Sequence, residues 1–240
     1  MTEFTTWRSL VDGEEISAIL DTVLEDFESY SNGFTLTDDA KYQGADFFQV
    51  TDTNAGEGDL ALERTTTTDS AITPIAWSEP GMDGELHAYP GPDDRVVAMV
   101  NMSQVFPGIA CMVESTGSGA ESWDGYNFRL RPDDGLPDIE RLDDGDRTQI
   151  AVGTGGHFSS GDWAYAVIDL PSESDDEIRL AVHSVDSESE VVPIPGDELE
   201  VITANDNTHV DNSGFGWGTT SGSDTGLMCD IAMLNPPIDI

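Results

Sequence analysis

Residues 126–131 read Tyr-Asn-Phe-Arg-Leu-Arg, residues 163–167 read Trp-Ala-Tyr-Ala-Val, and residues 178–183 read Ile-Arg-Leu-Ala-Val-His. In each segment large apolar side chains alternate with polar or small ones. This period of two is typical of a β-strand with one buried face and one face that is wet or covered by small side chains. Turn-forming runs at 132–135 and 143–145 end a strand without starting a helix. The stretch 125–186 therefore predicts consecutive strands of one sheet system.

Similar strand-like segments occur on both sides of this stretch, at intervals of roughly ten to fifteen residues, with Gly, Asp and Pro between them. They are 24–28, 47–50, 60–63, 72–77, 95–102, 108–114, 191–194, 199–203, 214–218 and 227–234. The spacing is typical of a sandwich or a barrel. Because all-β domains of this length usually form one core, we predict an all-β, antiparallel domain over residues 25–240.

Residues 1–24 differ from the rest of the chain. Asp12 is followed three residues later by Glu15, which resembles a helix capping box, and apolar residues then recur at helical spacing. The sequence is consistent with either a short amphipathic helix or an extended arm here. Either would carry an apolar stripe that needs a partner, so we expect this segment to dock on its own domain or on a neighbouring subunit. The predicted contact residues are Phe4, Trp7, Ile16, Ile19 and Leu20.

The chain carries 48 acidic and 9 basic residues, a formal net charge of −39, and its only lysine is Lys41. In dilute buffer such a charge would repel itself, whereas at molar salt the Debye length falls to about 3 Å. The composition indicates a protein of an extreme halophile or of a virus that infects one; an ordinary acidic protein is the alternative. It also argues against nucleic acid as a direct partner, because phosphate binding needs a basic surface.

The two cysteines, Cys111 and Cys229, lie in apolar strand-like runs. Each is expected to be a small buried hydrophobe, with one disulfide between them as the alternative. Zinc-type spacing is absent.

The first residues lack a charged region followed by an apolar one, so we expect no secretory signal peptide, and the apolar runs are too short to predict membrane insertion.

Several short segments, taken in order, give the chain a family likeness. They are 27–28 (Phe-Glu), 58–62 (Gly-Asp-Leu-Ala-Leu), 125–130 (Gly-Tyr-Asn-Phe-Arg-Leu), 161–165 (Gly-Asp-Trp-Ala-Tyr), 177–180 (Glu-Ile-Arg-Leu), 213–218 (Ser-Gly-Phe-Gly-Trp-Gly) and 229–232 (Cys-Asp-Ile-Ala). Across about residues 24–234 the chain resembles the concanavalin-A-like, laminin-G-like jelly-roll domains of haloarchaeal surface proteins and haloarchaeal virus structural proteins. The resemblance implies two curved antiparallel sheets packed face to face, with loops free for binding. Fold alone does not supply a function.

Enzymes are among the proteins with this fold. The fold family that the chain resembles includes endoglucanases, and for these it implies a Glu-x-Asp-x-x-Glu pattern that holds two carboxyl groups about 5 Å apart. No apolar-flanked strand carries this pattern; residues 25–28 (Glu-Asp-Phe-Glu) come nearest, with the wrong spacing. The four histidines are scattered, and the Gly-rich runs lack the lysine of a phosphate-binding loop. We therefore predict no catalytic residue, no cofactor and no enzymatic activity.

A structural calcium ion is a further implication of the resemblance, at the place where the first and last strands of such sandwiches meet. The candidate ligands are Asp26, Glu28 and Asp230. Carboxylate oxygens suit calcium, but in so acidic a chain the alternative is that these three side chains are simply solvated.

Aromatic side chains near loops or strand ends could form a glycan-binding face. The candidates are Trp77, Tyr89, Trp123 and Trp217. For each of them a place in the core is the competing interpretation, because large aromatic residues are usually buried. We assign Trp163 to the core, because it alternates in step with Val167.

Four of the nine basic residues lie within nineteen positions, at Arg129, Arg131, Arg141 and Arg147. Either they pair with acids on adjacent strands, or they form an interface for an acidic neighbouring subunit. We predict subunit contacts here and in residues 1–24, and keep local pairing as an equal alternative.

The function predicted from the sequence is that of a non-enzymatic structural protein of a haloarchaeal virus particle, such as a turret, spike or tail component. We expect it to assemble in the cytoplasm of the host as a homo-oligomer and to contact copies of itself and other virion proteins, and we leave contacts with host surface glycans open. The absence of a signal peptide favours this role. The alternatives are a lectin-like carbohydrate-binding module of a halophile cell surface and a glycan hydrolase.

Overall fold

The computed structural model describes residues 7–11, 14–18, 22–53, 55, 59–66, 75–83, 86, 88–102, 106–117, 122–131, 136–185, 196, 198–219 and 226–234. These residues form an all-β protein. Its strands are β1 (Trp7–Val11), β2 (Glu14–Ala18), β3 (Thr22–Glu25), β4 (Gln43–Gly44), β5 (Phe48–Thr51), β6 (Ala61–Arg64), β7 (Ile75–Ser78), β8 (Arg95–Asn101), β9 (Pro107–Ser115), β10 (Trp123–Arg131), β11 (Leu136–Asp143), β12 (Asp146–Val152), β13 (Trp163–Asp169), β14 (Glu177–Ser184), β15 (Glu200–Asn205), β16 (Gly214–Thr219) and β17 (Gly226–Leu234). The one helix in the described ranges is a 3-10 turn, Leu36–Asp38. No described helix is long enough to cross a bilayer.

Two antiparallel sheets pack face to face. The seven-stranded sheet has the order β12-β11-β10-β9-β16-β7-β4, and the eight-stranded sheet has the order β15-β14-β13-β8-β17-β6-β5, with β3 also paired to β17. Neighbours such as β9 and β16 are far apart in sequence, as expected where strands alternate between two sheets. The predicted all-β sandwich is confirmed.

The space between the sheets is filled by the alternating residues of both. From β10 the side chains of Tyr126, Phe128 and Leu130 point inward, as their period of two predicts, and from β14 those of Ile178 and Leu180 do the same. All five belong to one continuous buried cluster. Burying this apolar surface is the main favourable contribution to folding, at roughly 25 cal/mol per Å².

Strand β13 is turned the other way from the prediction. Its small residues, Ala164 and Ala166, face the space between the sheets, whereas Tyr165 and Val167 lie on the outer face of the eight-stranded sheet. Trp163 packs against that outer cluster and is only partly buried, so its assignment to the core was wrong. A period of two defines two faces but does not say which one meets the opposite sheet. Large side chains from one sheet are accommodated by small ones on the other.

The N-terminal residues form an antiparallel hairpin, in which Trp7 pairs with Ala18 and Val11 pairs with Glu14. Residues 14–18 are therefore extended, which agrees with the arm and not with the helix. Of the predicted contact residues, Phe4, Ile19 and Leu20 lie outside the described residues, and the side chains of Trp7 and Ile16 are not described. The strand segment expected at 191–194 also lies outside the described residues.

Both cysteines are buried and free. Cys111 lies on β9 of the seven-stranded sheet and Cys229 on β17 of the eight-stranded sheet, and burial raises the pKa of both thiols. The structure therefore agrees with the small buried hydrophobe and not with the disulfide.

Candidate functional site

The outer face of the seven-stranded sheet has a floor of small residues. On β9 and β16, Ala110 pairs with Gly216, and Gly108 pairs with Gly218. A Cβ atom built on Gly216 would lie 2.3 Å from the carbonyl oxygen of Ala76, so only glycine fits there. On one side of this floor Trp77 pairs with Gly216. The four small residues carry no bulky side chain on this face, and all four are buried.

A set of polar side chains borders the other side of the floor, which we call the polar array. Its members are Asn127 and Arg129 on β10, Asp138 and Glu140 on β11, and Arg147 and Gln149 on β12. The strand registers place Arg129 opposite Asp138, Asn127 opposite Glu140, and Glu140 opposite Gln149. These side chains share one face because alternate residues of each strand point the same way.

The members of the polar array are bonded to one another. Arg129 Nε donates to Asp138 Oδ1 at 2.9 Å, and its Nη2 lies 2.8 Å from Glu140 Oε1. Asn127 Nδ2 donates to Glu140 Oε2 at 3.2 Å. From β12, Gln149 Nε2 donates to Asp138 Oδ2 at 2.9 Å and Arg147 Nε lies 3.2 Å from Glu140 Oε1. Mutual bonds of this kind hold side chains in one orientation.

Two side-chain oxygen atoms in the array accept no hydrogen bond from a described group. Asn127 Oδ1 is buried and has no hydrogen-bond partner among the described residues, and it lies directly over Gly108, where a Cβ atom would come within 2.4 Å of it. Glu140 Oε1 is close to Arg129 and Arg147 but makes no hydrogen bond of good geometry with a described group. Burial raises the pKa of Glu140, and the two arginines offset part of that rise.

Exposure changes across the array. Asn127, Asp138 and Glu140 are buried, and Arg129 is nearly so. On the edge strand β12, by contrast, the Arg147 side chain is 39% exposed and Gln149 is also exposed. A ligand that approaches along β12 would meet these two donors first.

The four aromatic residues predicted as a glycan platform do not form an exposed face. Trp217 points into the core, with its ring centroid 5.2 Å from that of Phe215. Trp77 and Trp123 lie on the outer face of the seven-stranded sheet, yet both are buried. Tyr89 is half-buried, and its hydroxyl is 2.7 Å from Ser78 Oγ. Of the four, Trp77 is the one that borders the small-residue floor.

Three members of the arginine cluster pair with acids of their own chain. Arg129 and Arg147 belong to the polar array, and Arg141 Nη1 donates to Asp206 Oδ2 at 2.7 Å. This is the local pairing alternative. The side chain of Arg131 is not described, and an interface built from this cluster stays a prediction.

The calcium candidates have other partners. Glu28 Oε1 accepts hydrogen bonds from the backbone N–H groups of Asp59 and Leu60, and Asp26 Oδ1 accepts one from the N–H of Glu28. Asp230 is buried on β17. Within the described ranges, no three His, Cys, Asp or Glu side chains are grouped so that they could hold a metal ion. A structural calcium ion at these residues stays a prediction.

Asn127, Asp138, Glu140 and Gln149 were not predicted as site residues. Asp138 and Glu140 share a face as a catalytic pair would, but Arg129 contacts both. A signal was present in the sequence, because Asn127 and Arg129 alternate on one strand while Asp138 and Glu140 alternate on the next. Opposite charges at that spacing face each other across a hairpin.

No protein-family model and no curated protein sequence matches the chain. Solved structures do. The carbohydrate-binding module CBM66 from Bacillus subtilis superposes with a TM-score of 0.50 at 10% identity, over 81% of this chain and 96% of that one. A Bacillus subtilis protein of unknown function with a galectin-like fold superposes with a TM-score of 0.52 at 8% identity, over 91% and 98% of the two chains. At such identities the likeness concerns the fold alone. The protein therefore has the fold of a two-sheet jelly-roll sandwich, similar to that of these structures.

Proposed function

We propose that the protein is a lectin-like carbohydrate-binding module and that the polar array is its glycan site. The observation that carries the proposal is a set of six mutually bonded polar side chains that reaches the surface at Arg147 and Gln149. The likeness to a structure described as a carbohydrate-binding module supports the same class of ligand. This is the alternative interpretation of the sequence, and the comparisons favour it over the virion role.

The chemistry of the array suits a polyhydroxylated ligand. A saccharide presents hydroxyl groups that both donate and accept hydrogen bonds. Arg147 and Gln149 offer donors at the exposed edge, and Glu140 and Asp138 behind them hold these two side chains in place. Because the side chains are already held by mutual bonds, little conformational entropy is lost when they bind a ligand.

The charge of the array favours a neutral saccharide. Two arginines face two carboxylates within it, so it offers no excess of positive charge to an anionic sugar. The chain around it carries a formal charge of −39, which would repel a uronic or sialic acid at low ionic strength. Neutral hexose-containing glycans are therefore the expected class.

A glycan array probed with the whole chain in molar salt tests this function. We expect retention of at least one neutral glycan, and Arg147→Ala or Gln149→Ala should weaken its binding by about tenfold, which corresponds to ~1.4 kcal/mol. The matched control is Thr148→Ala, because Thr148 is exposed on the same strand with its side chain on the opposite face. Retention of no saccharide, or equal loss in all three variants, would contradict the proposal.

A structural role in a haloarchaeal virus particle stays a hypothesis. It would be supported by electron microscopy that shows the chain on purified particles, and a chain found dispersed and absent from particles would count against it. The two roles differ in a simple way, since a virion component need not retain any saccharide.

A further inference from the structure

Strand β12 contains a β-bulge at the place where the polar array reaches the surface. In its register with β11, Gln149 pairs with Glu140. The next pair joins Ala151 to Ile139, so Ile150 is an extra residue without a partner on β11. Both Ile150 and Ala151 pack against the core between the sheets. A bulge of this kind changes which later residue of the strand points to a given face, and bulges often re-aim a side chain next to a functional site.

The bulge places Val152 on the outer face of β12, together with the exposed end of the polar array. Val152 pairs with Asp138, a member of the array, and residues that are directly paired in an antiparallel ladder share a face. Without the bulge, Ala151 would continue the alternation of Arg147 and Gln149. Val152 would then point toward the core. An apolar side chain therefore lies beside two polar ones because the strand is irregular at this point.

Val152 is the most exposed of the large hydrophobic side chains in the described ranges, at 48%. A single exposed apolar residue is ordinary on a protein surface, so its position is what matters. The other two exposed ones, Leu199 and Val201, lie at β15 in the eight-stranded sheet. Within the part of the chain that the structure describes, Val152 is thus the one exposed large apolar side chain on the face of the polar array.

The two polar neighbours of Val152 have groups available for a ligand. The one described contact of Arg147 is that of its Nε with Glu140 Oε1, at 3.2 Å, which leaves both terminal nitrogens as donors. Gln149 Nε2 donates to Asp138 Oδ2 at 2.9 Å, and no described group donates to Gln149 Oε1. The exposed face of β12 therefore combines hydrogen-bond donors, an acceptor and an apolar surface.

These three side chains form a row along β12. They pair with alternate residues of β11, and alternate residues of a strand lie about 7 Å apart, so the row from Arg147 through Gln149 to Val152 is about 14 Å long. That length suits two or three linked sugar rings. Residues 147–161 contain no aspartate or glutamate, so this segment of the chain adds no carboxylate to the row.

We propose that Val152 is a specificity-determining residue of the glycan site, and that it selects saccharides that carry a methyl group while Arg147 and Gln149 bond their hydroxyl groups. The inference rests on the proposed glycan-binding function. A methyl group is found at C6 of 6-deoxyhexoses and in the acetamido group of N-acetylhexosamines, and both classes are uncharged. A plain hexose has a hydroxyl group at either position. Against Val152 that hydroxyl would lose water and gain no hydrogen bond, so the site would discriminate against the plain sugar.

A glycan array with matched triplets, probed with the whole chain in molar KCl, tests the inference. Each triplet has the same oligosaccharide ending in a D-hexose, its 6-deoxy form or its N-acetylhexosamine form, in the galacto and gluco series. We expect the wild type to bind one methyl-bearing member of a triplet about fivefold more tightly than the plain hexose, which is the effect of burying about one methyl group. The preferred member shows whether the methyl group is that of a deoxy sugar or of an acetamido group.

Three variants examine the role of the side chain. Val152→Ser should reduce the preference within a triplet to less than about twofold, whereas Val152→Leu should keep it. The matched control is Val201→Ser, which removes the same side chain from a 43% exposed position on β15 and should leave the preference unchanged. A preference that survives Val152→Ser, or that Val201→Ser lowers equally, would overturn the inference.

The wild type alone distinguishes this inference from the function on which it rests. If the protein retains glycans but shows no preference for a methyl-bearing member in any triplet, the role of Val152 is wrong and the glycan site stands. If the protein retains no glycan at all, the proposed function is contradicted and the inference fails with it.

Discussion

At the scale of single residues, several of the chain's few cations pair with acids of the same chain. Lys41, the only lysine, lies 2.8 Å from Glu25 Oε2 and 5.0 Å from the centre of the Tyr30 ring. Tyr42 also donates to Glu25 Oε2, at 2.8 Å. Burial, followed by the neighbouring Glu25 charge, raises the pKa of Tyr30 and of Tyr42. Arg129 plays the corresponding role in the polar array. A buried carboxylate needs such a partner, because leaving it unpaired costs several kcal/mol.

Glu140→Gln should change how the free energy of unfolding depends on pH. Burial raises the pKa of Glu140 above its ordinary value of 4.5. A carboxyl group with a higher pKa in the folded state stabilises the fold below its unfolded pKa, and this contribution is lost as pH rises through the folded pKa. The stability of the wild type relative to Glu140→Gln should therefore fall as pH rises above 4.5.

Chemical denaturation in molar salt at a series of pH values measures this difference. The control is Glu177→Gln, at the exposed first residue of β14. The same slope for both variants would show that Glu140 makes no special contribution.

At the scale of elements, the seven-stranded sheet depends on glycine where other strands use side chains. Strand β16 reads Gly-Phe-Gly-Trp-Gly-Thr, so its large residues face the core while the alternate positions, which face the other way, are glycines. Because Gly216 has no side chain, β7 can approach β16 closely, with Trp77 beside Gly216. The same alternation creates the floor next to the polar array. A single pattern thus builds the core on one face and the candidate site on the other.

Gly216→Ala should destabilise the protein by about 1–3 kcal/mol, because the new methyl group would overlap backbone atoms. Its Cβ would lie 2.3 Å from the Ala76 carbonyl oxygen and 2.7 Å from Trp77 Cα. Gly91→Ala is the control, since its nearest atom would be Asp94 Oδ2 at 3.6 Å, and it should change stability by less than ~0.5 kcal/mol. Thermal denaturation of both variants measures the difference. Equal midpoints would mean that β7 and β16 can move apart freely.

At the scale of the whole molecule, charge sets the conditions under which the sandwich is stable. A formal charge of −39 on 240 residues favours expansion of the chain in dilute buffer, and only counterions screen it. The ion pairs described above neutralise a small part of this charge. Stability should therefore depend on salt far more than in an ordinary jelly roll.

We expect the thermal midpoint of unfolding to rise steeply with KCl concentration from dilute buffer to molar salt. The reason is that the Debye length shortens to about 3 Å at 1 M, which removes most repulsion between surface carboxylates. Differential scanning calorimetry across a KCl series measures the effect. Sucrose at matched water activity is the control for preferential exclusion. A midpoint that is independent of KCl, or that sucrose raises equally, would contradict an adaptation to salt.

The sequence by itself determined the class of fold, because alternation with a period of two and turn residues between the segments are local properties of the chain. It also determined the charge, the single lysine and the strands of residues 125–186. The alternation of side chains along β13 could not predict which face of the strand meets the other sheet, since the two faces are equivalent until the opposite sheet is present. It therefore misplaced Trp163.

Only the tertiary structure decided which distant strands are neighbours, and with them the small-residue floor formed by β9 and β16 beside the polar array. It also showed that Arg129, Arg141 and Arg147 pair with acids of their own chain, which is the local pairing that the sequence left open as an alternative. The physical reason is that pairing joins residues far apart in sequence, and long-range contacts depend on how all strands pack together, not on any one of them.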